Sequence, residues 1–135
     1  MTSVLVDTSA WIEFLRGTGS AEHRFIRSAL QEERPLAWTE PILLELTAGA
    51  RSDRRAMELR AMLTGGELLA VRGLADWAAA ASLWRTARQR GLTVRSTVDC
   101  LIAAVAIRTS TPVLARDRDY AALAQVSPLE IIATR

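Results

Sequence analysis

The sequence predicts an α/β protein, a three-layer α/β/α sandwich around one central parallel sheet. Three observations carry that expectation. Short apolar runs rich in β-type residues, at positions 4–6, 67–71, 111–115 and 129–133, are separated by stretches with helical periodicity. Strands that alternate with helices pair in parallel and need helices on both faces of the sheet. Finally, 135 residues with 50% apolar and 24% charged side chains suffice for one core and show no linker, repeat or low-complexity segment. Residues 1–135 are therefore read as a single domain.

The elements follow in order. Val4-Leu5-Val6 is a buried strand that stops at Asp7-Thr8-Ser9. A helix with Trp11, Ile12, Phe14 and Leu15 on one side then runs to Gly17. Ser20 caps a second helix through Phe25, Ile26, Ala29 and Leu30, ended by Pro35. Thr39-Glu40-Pro41 opens a third, which carries Glu45 and stops near Gly49; proline in a first turn gives up only a hydrogen bond that has no partner there. Residues 52–63 form a fourth helix closed by Gly65-Gly66. A strand at 67–71 precedes a long alanine-rich helix, with Trp77, Ala81, Trp84 and Ala87 tracing its apolar stripe. The most hydrophobic helix spans residues 98–107 and is interrupted by Asp99. A strand at 111–115, a short helix at 119–125 and a last strand at 129–133 complete the chain.

Composition narrows the function. The lone Cys100 cannot form a disulfide within one chain and fits a reducing cytoplasm. No leader pattern and no apolar run of membrane-spanning length is expected. All 17 basic residues are arginine, and the formal charge of +2 with a pI near 9.4 permits a nucleic-acid partner without requiring one. The absence of lysine argues against receiver domains and haloacid-dehalogenase-type phosphatases, which also place an acid after their first strand but need an essential lysine.

Four acids stand where burial disfavours them: Asp7 at the end of the first strand, Glu45 among small apolar helical neighbours, Asp99 in an apolar helix and Asp117 just past the third strand. Each has a plain structural explanation. Asp7 is a possible N-cap, Glu45 a helix-edge residue reaching water, Asp99 part of a Ser96-x-x-Asp99 capping box, and Asp117 a member of a surface ion-pair cluster with Arg116 and Arg118. One arrangement accounts for all four, namely convergence over the carboxyl edge of a parallel sheet, where such folds build their sites. Carboxylates packed together repel and protonate unless cations hold them. An all-oxygen set without histidine or cysteine selects a hard ion, magnesium or manganese. That chemistry suits phosphodiester hydrolysis, with Thr8 and Ser9 as supporting hydroxyls. His23, the only histidine, lies on a surface helix as a bystander.

These residues also carry a resemblance. Val-Asp-Thr-Ser-Ala-Trp, Glu-Pro-Ile-Leu-Leu-Glu-Leu, Val-Asp-Cys-Leu-Ile-Ala-Ala-Val-Ala and Leu-Ala-Arg-Asp-Arg-Asp-Tyr resemble the four signatures of PIN-domain ribonucleases. Their order and spacing, over essentially the whole chain, are most similar to the VapC-type toxins of bacterial toxin–antitoxin pairs. The resemblance implies a metal-dependent endoribonuclease with Asp7, Glu45, Asp99 and Asp117 as its acidic site, of which Asp7, Asp99 and Asp117 hold magnesium or manganese. It also implies an RNA substrate, homodimers, and a small antitoxin whose tail covers the acidic pocket, often with an arginine. Where many relatives have threonine or serine before the fourth acid, this chain has Ala115-Arg116. That departure leaves both Asp117 and Asp119 open as the fourth acid, with Asp117 preferred as nearer the strand end.

RNA requires counter-charge, for which the candidates are Arg51, Arg54 and Arg55 after the Glu45 helix, and Arg85, Arg88, Arg90 and Arg95 before Asp99. The four tryptophans are expected in the core or at a subunit interface rather than as base-stacking platforms. The rival from another class is a catalytically idle module whose acids capture a basic peptide.

Overall fold

The structure, a computed structural model, describes residues 3–134. Its central sheet has four parallel strands: β1 (Val4–Val6), β2 (Leu36–Trp38), β3 (Glu67–Leu68) and β4 (Val113–Leu114), in the order β3-β2-β1-β4. Seven helices among the described residues complete the sandwich: α1 (Thr8–Arg16), α2 (Ala21–Gln31), α3 (Glu40–Ala48), α4 (Asp53–Thr64), α5 (Gly73–Gln89), α6 (Thr97–Arg108) and α7 (Arg118–Gln125). This is the α/β architecture expected from the sequence.

β1 lies between β2 and β4, and Val4, Leu5 and Val6 are fully buried. A strand covered on both faces must be apolar throughout, which is why this run does not alternate. Leu5 sits opposite Ala37 on one side and Val113 on the other. α6 supplies the other half of the core, with every residue from Asp99 to Ala106 buried.

The sequence reading omitted β2. Leu36-Ala37-Trp38 is only three residues, squeezed between Pro35 and the start of α3, and shows no period to detect. The other strands are shorter than expected. Residues 67–71 pair only at Glu67–Leu68, and the run at 111–115 only at Val113–Leu114. Pro112 has no N–H to give a ladder, although its carbonyl accepts from Leu5 N at 2.9 Å. The run at 129–133 is no strand; it contributes one parallel bridge, Ile131 beside Val113.

Gly66 shows how tightly the edge is built. A Cβ at this position would meet the Leu36 carbonyl oxygen at 2.3 Å, so only glycine lets the end of α4 turn into β3 beside β2. Gly17 ends α1 in the left-handed conformation (φ 60°), as its position after the helical pattern predicts.

The buried face of α5 meets the predicted stripe at Ala87 but is offset by one residue in the first half of the helix. Asp76, Ala80 and Ala87 are buried, whereas Trp77 is 59% exposed and Ala81 is exposed. An acid occupies what periodicity reads as an apolar place because Arg108 of α6 meets it. Arg108 Nε and Nη2 each lie 2.9 Å from an Asp76 carboxylate oxygen, and Nη2 also donates to the Ala70 carbonyl at 2.7 Å.

Candidate active site

Each acid is delivered by a different element, and all reach the carboxyl edge of the sheet. Asp7 leaves β1 while its N–H still donates to the Leu114 carbonyl of β4 at 2.9 Å. Its side chain caps α1. Oδ2 accepts from Ser9 N (3.0 Å) and Ser9 Oγ (2.6 Å). The capping explanation for Asp7 is thus correct, and it does not compete with a site role. Oδ1 is left to the interior, where it accepts from the Tyr120 hydroxyl at 2.8 Å. Ser9 Oγ also accepts from Arg116 N (2.9 Å) and Asp117 N (3.3 Å), so one hydroxyl ties the end of β1 to the loop before α7.

Asp99 stands in the first turn of α6, 4% exposed. Ser96 Oγ accepts its N–H at 3.3 Å, which is half of the capping box. The reciprocal bond is missing, because Ser96 N donates to Asp119 Oδ2 (3.1 Å) and not to Asp99. The Asp99 carboxylate therefore faces the cluster. Its Oδ1 is 3.4 Å from the Tyr120 hydroxyl, and its buried Oδ2 has no hydrogen-bond partner. Burial first, then the charge of Asp7 and the neighbouring carboxyl of Asp117, push the Asp99 carboxyl up to about 9.

Asp117 caps α7, with Oδ1 accepting from Asp119 N at 2.9 Å, and is partly exposed. Asp119 is 2% exposed, and its Oδ2 accepts from Arg95 N (3.0 Å) and Ser96 N (3.1 Å). It pins the turn that starts α6. Carboxylate oxygens of Asp99, Asp117 and Asp119 lie within 4.8 Å of one another. Asp7 joins this group through Tyr120. Asp117 and Asp119 both belong to the grouping, but one oxygen of Asp119 is committed to two backbone amides. The Arg95 guanidinium sits alongside, 3.7 Å from both Asp117 Oδ1 and Asp119 Oδ1.

Glu45 differs from expectation. Its small apolar helical neighbours predict a packed side chain, whereas it is exposed at the rim. The first turn of α1 reaches it, with Thr8 Oγ1 donating to its Oε1 at 3.1 Å. Partial burial, followed by the charge of Asp7, holds its carboxyl above the usual range, against the lowering effect of the Thr8 bond.

Tyr120 was not among the residues singled out from the sequence. A tyrosine in the first turn of a short helix reads as core, and its ring is indeed 1% exposed. The available signal was its place three residues after Asp117 on a helix. Its hydroxyl is pushed well above the ordinary tyrosine range, first by burial and then by the charges of Asp7 and Asp99.

The arginines divide. Arg51 and Arg55 line a cleft of about 680 Å³ together with Arg16, Thr8 and Glu45, beside the acids. Arg54 and Arg55 also pair with Glu58 at 3.9 and 3.8 Å. Arg88 and Arg90 are exposed at the end of α5, and Arg85 lines an apolar groove of about 890 Å³ with Leu44, Trp77, Trp84 and Val98. His23 accepts from Gly19 N at 2.8 Å and packs edge-on to Phe14, a local structural role in keeping with its reading as a bystander.

Residues 4–126 match the model of the PIN domain family. Over 133 residues the chain is 41% identical to a protein of Mycobacterium tuberculosis named Ribonuclease VapC11, covering 98% of this chain and 99% of that one. Among solved structures, VapBC-5 of Mycobacterium tuberculosis, a member of the VapBC family of toxin-antitoxin systems, is 27% identical with a TM-score of 0.64, covering 98% of each chain. VapBC2 of Rickettsia felis, solved on a DNA fragment from its promoter, shares the fold at a TM-score of 0.74 and 15% identity, covering 97% of this chain and 98% of that one. The chain belongs to the PIN domain family, among its VapC-type members.

Proposed function

We propose that this chain is a metal-dependent endoribonuclease, the toxin of a toxin–antitoxin pair, working as one domain in the cytoplasm. The observation that carries the reading is Asp99, a buried carboxyl with one unpartnered oxygen facing further acids. A buried polar atom left without a partner is costly, and so is a cluster of like charges. A divalent cation relieves both, and the donor set, all oxygen, fits magnesium or manganese. Asp7, Asp99 and Asp117 would hold the ion, with Asp119 buttressing the turn that presents Asp99. When bound, such an ion supplies Lewis acidity, positive charge against the scissile phosphate and acidification of an attacking water.

The chain's own residues supply the rest. Glu45, at the solvent rim and raised above the usual carboxylate range, is placed to accept a proton from the attacking water. Thr8 orients it through the 3.1 Å bond. Arg51 and Arg55 in the neighbouring cleft, and Arg95 beside Asp117, donate to phosphate oxygens; Arg54 and Arg88 add diffuse attraction. The apolar groove with Leu44 and Trp77 takes a second copy in a homodimer. A small antitoxin with a basic residue is the partner suited to cover the acids.

The test uses chain freed of any co-purifying partner and end-labelled cellular RNA, in manganese, magnesium or chelator. Discrete fragments that need metal, and that fall at least about a hundredfold in Asp99→Asn, are expected. Metal-independent fragments, or full cleavage by Asp99→Asn, reject the site. Metal binding without cleavage, together with capture of a basic peptide, favours the idle module.

A further inference from the structure

The acids of the cluster come from β1, α6 and the loop before α7, and something must fix their relative orientation before any cation arrives. We infer that Tyr120 is the positioning residue that joins Asp7 to Asp99, holding the two carboxylates in register for a divalent cation through a single neutral hydroxyl. The inference rests on the nuclease reading above and concerns this chain's own contribution to that site.

The geometry is specific. The hydroxyl donates its one proton to Asp7 Oδ1 at 2.8 Å, while Asp99 Oδ1 lies 3.4 Å from the same oxygen. The ring is 1% exposed on α7 and packed in the core, so the hydroxyl has no freedom to swing to water. Among the described residues, the other hydrogen bonds to the Asp7 carboxylate come from Ser9 and fall on Oδ2. Oδ1 therefore depends on Tyr120 for its orientation. Asp99 Oδ1 lies within reach of that same hydroxyl oxygen, and Asp99 Oδ2 is the unpartnered atom. A lysine or arginine at this position would compete with the cation, and phenylalanine would leave Asp7 Oδ1 unpaired in a buried setting. A phenol orients the carboxylates without neutralising them. Second-contact partners of this kind typically alter metal affinity by ten- to a hundredfold when removed.

Tyr120→Phe deletes the hydroxyl alone. Manganese binding is measured by calorimetry on the partner-free chain, without RNA, beside Leu123→Ala as a control for packing on the same helix. The expected result is a manganese dissociation constant weakened about tenfold in Tyr120→Phe and unchanged in Leu123→Ala, although both lower the melting temperature. Cleavage by Tyr120→Phe should need about tenfold more manganese for half-activation and recover at saturation. An unchanged manganese affinity in folded Tyr120→Phe overturns the proposal while leaving the nuclease reading intact. Wild-type chain that binds manganese but cuts no RNA overturns the nuclease reading and leaves the Tyr120 comparison standing. Tyr120 is the only tyrosine, so the wild-type Raman doublet of tyrosine reports its hydrogen bonding without any variant. Manganese or magnesium should change that doublet; an invariant doublet with metal bound also overturns the assignment.

Discussion

Asp99 bears a large electrostatic penalty in the site, and its sign sets an unusual pH dependence. An ordinary aspartate releases its proton near pH 4 in the unfolded chain, whereas in the folded, metal-free chain Asp99 keeps it until about 9. Between these values the native state binds more protons than the unfolded state, so stability falls as pH rises. Melting of metal-free protein should therefore drop steadily from pH 5 to 9. Asp99→Asn should flatten that slope, and saturating manganese should remove it. Metal affinity should rise with pH over the same range, because the ion and the proton compete for one carboxylate. A slope that is unaltered in Asp99→Asn would place the titrating group elsewhere. These acids were legible in the sequence because charge stands out at the end of an apolar strand or inside an apolar helix. Tyr120 was not, since nothing in residue order separates a buried ring that fills space from one whose hydroxyl orients carboxylates. Glu45 was legible as an acid but not as an exposed one; its neighbours three and four residues away are apolar, yet the cleft opens above them.

At the scale of elements, the same ambiguity displaced the buried face by one residue in the first half of α5. Periodicity alone favoured Trp77 over Asp76, because an acid is discounted as core until its partner is known. That partner, Arg108, is 32 residues away on α6 and visible only in three dimensions. The pair joins the start of α5 to the end of α6, with Arg72 N adding a third donor to Asp76 at 2.7 Å. Hydrogen bonds from Arg108 hold the Asp76 carboxyl below its usual range despite burial. This acid therefore contributes stability at neutral pH that is lost on acidification through its lowered pKa, opposite in direction to Asp99. Arg108→Ala leaves Asp76 buried without its counter-ion. The cost should be roughly 3 kcal/mol, at the low end for a buried pair because Arg108 keeps part of its surface in water. Urea unfolding should show a lower midpoint with an unchanged slope. Asp76→Asn with Arg108→Met should lose less than Arg108→Ala alone. The strand β2 was missed for a related reason. Three residues between a proline and a helix carry no internal pattern, and Leu36 and Ala37 become a strand because β1 and β3 flank them.

At the scale of the whole molecule, fold class was the most legible feature, because alternating strand and helix patterns and four acids in order constrain it redundantly. Surfaces were less so. Four tryptophans were assigned to core or interface without distinction, and the structure separates them: Trp11 is 3% exposed, whereas Trp77 is 59% exposed. Trp77 stands in the groove of α3, α5 and α6 with Leu44, itself 69% exposed, and Val98. Large apolar side chains grouped in this way on one face mark a surface that is covered in use. Glu40 and Glu45 lie on the same groove, so a second copy related by a two-fold axis would bring two acidic sites to one side of the assembly. Sedimentation equilibrium of the partner-free chain should give the mass of two chains. Leu44→Glu, which puts a charge into the middle of an isologous contact, should give the mass of one while leaving the far-ultraviolet circular dichroism unchanged. Manganese binding by that monomer should persist, because Asp7, Asp99, Asp117 and Tyr120 all come from one chain. If the wild-type chain sediments as a monomer at micromolar concentration, the groove belongs to the antitoxin instead, and the Leu44→Glu variant should then fail to bind it.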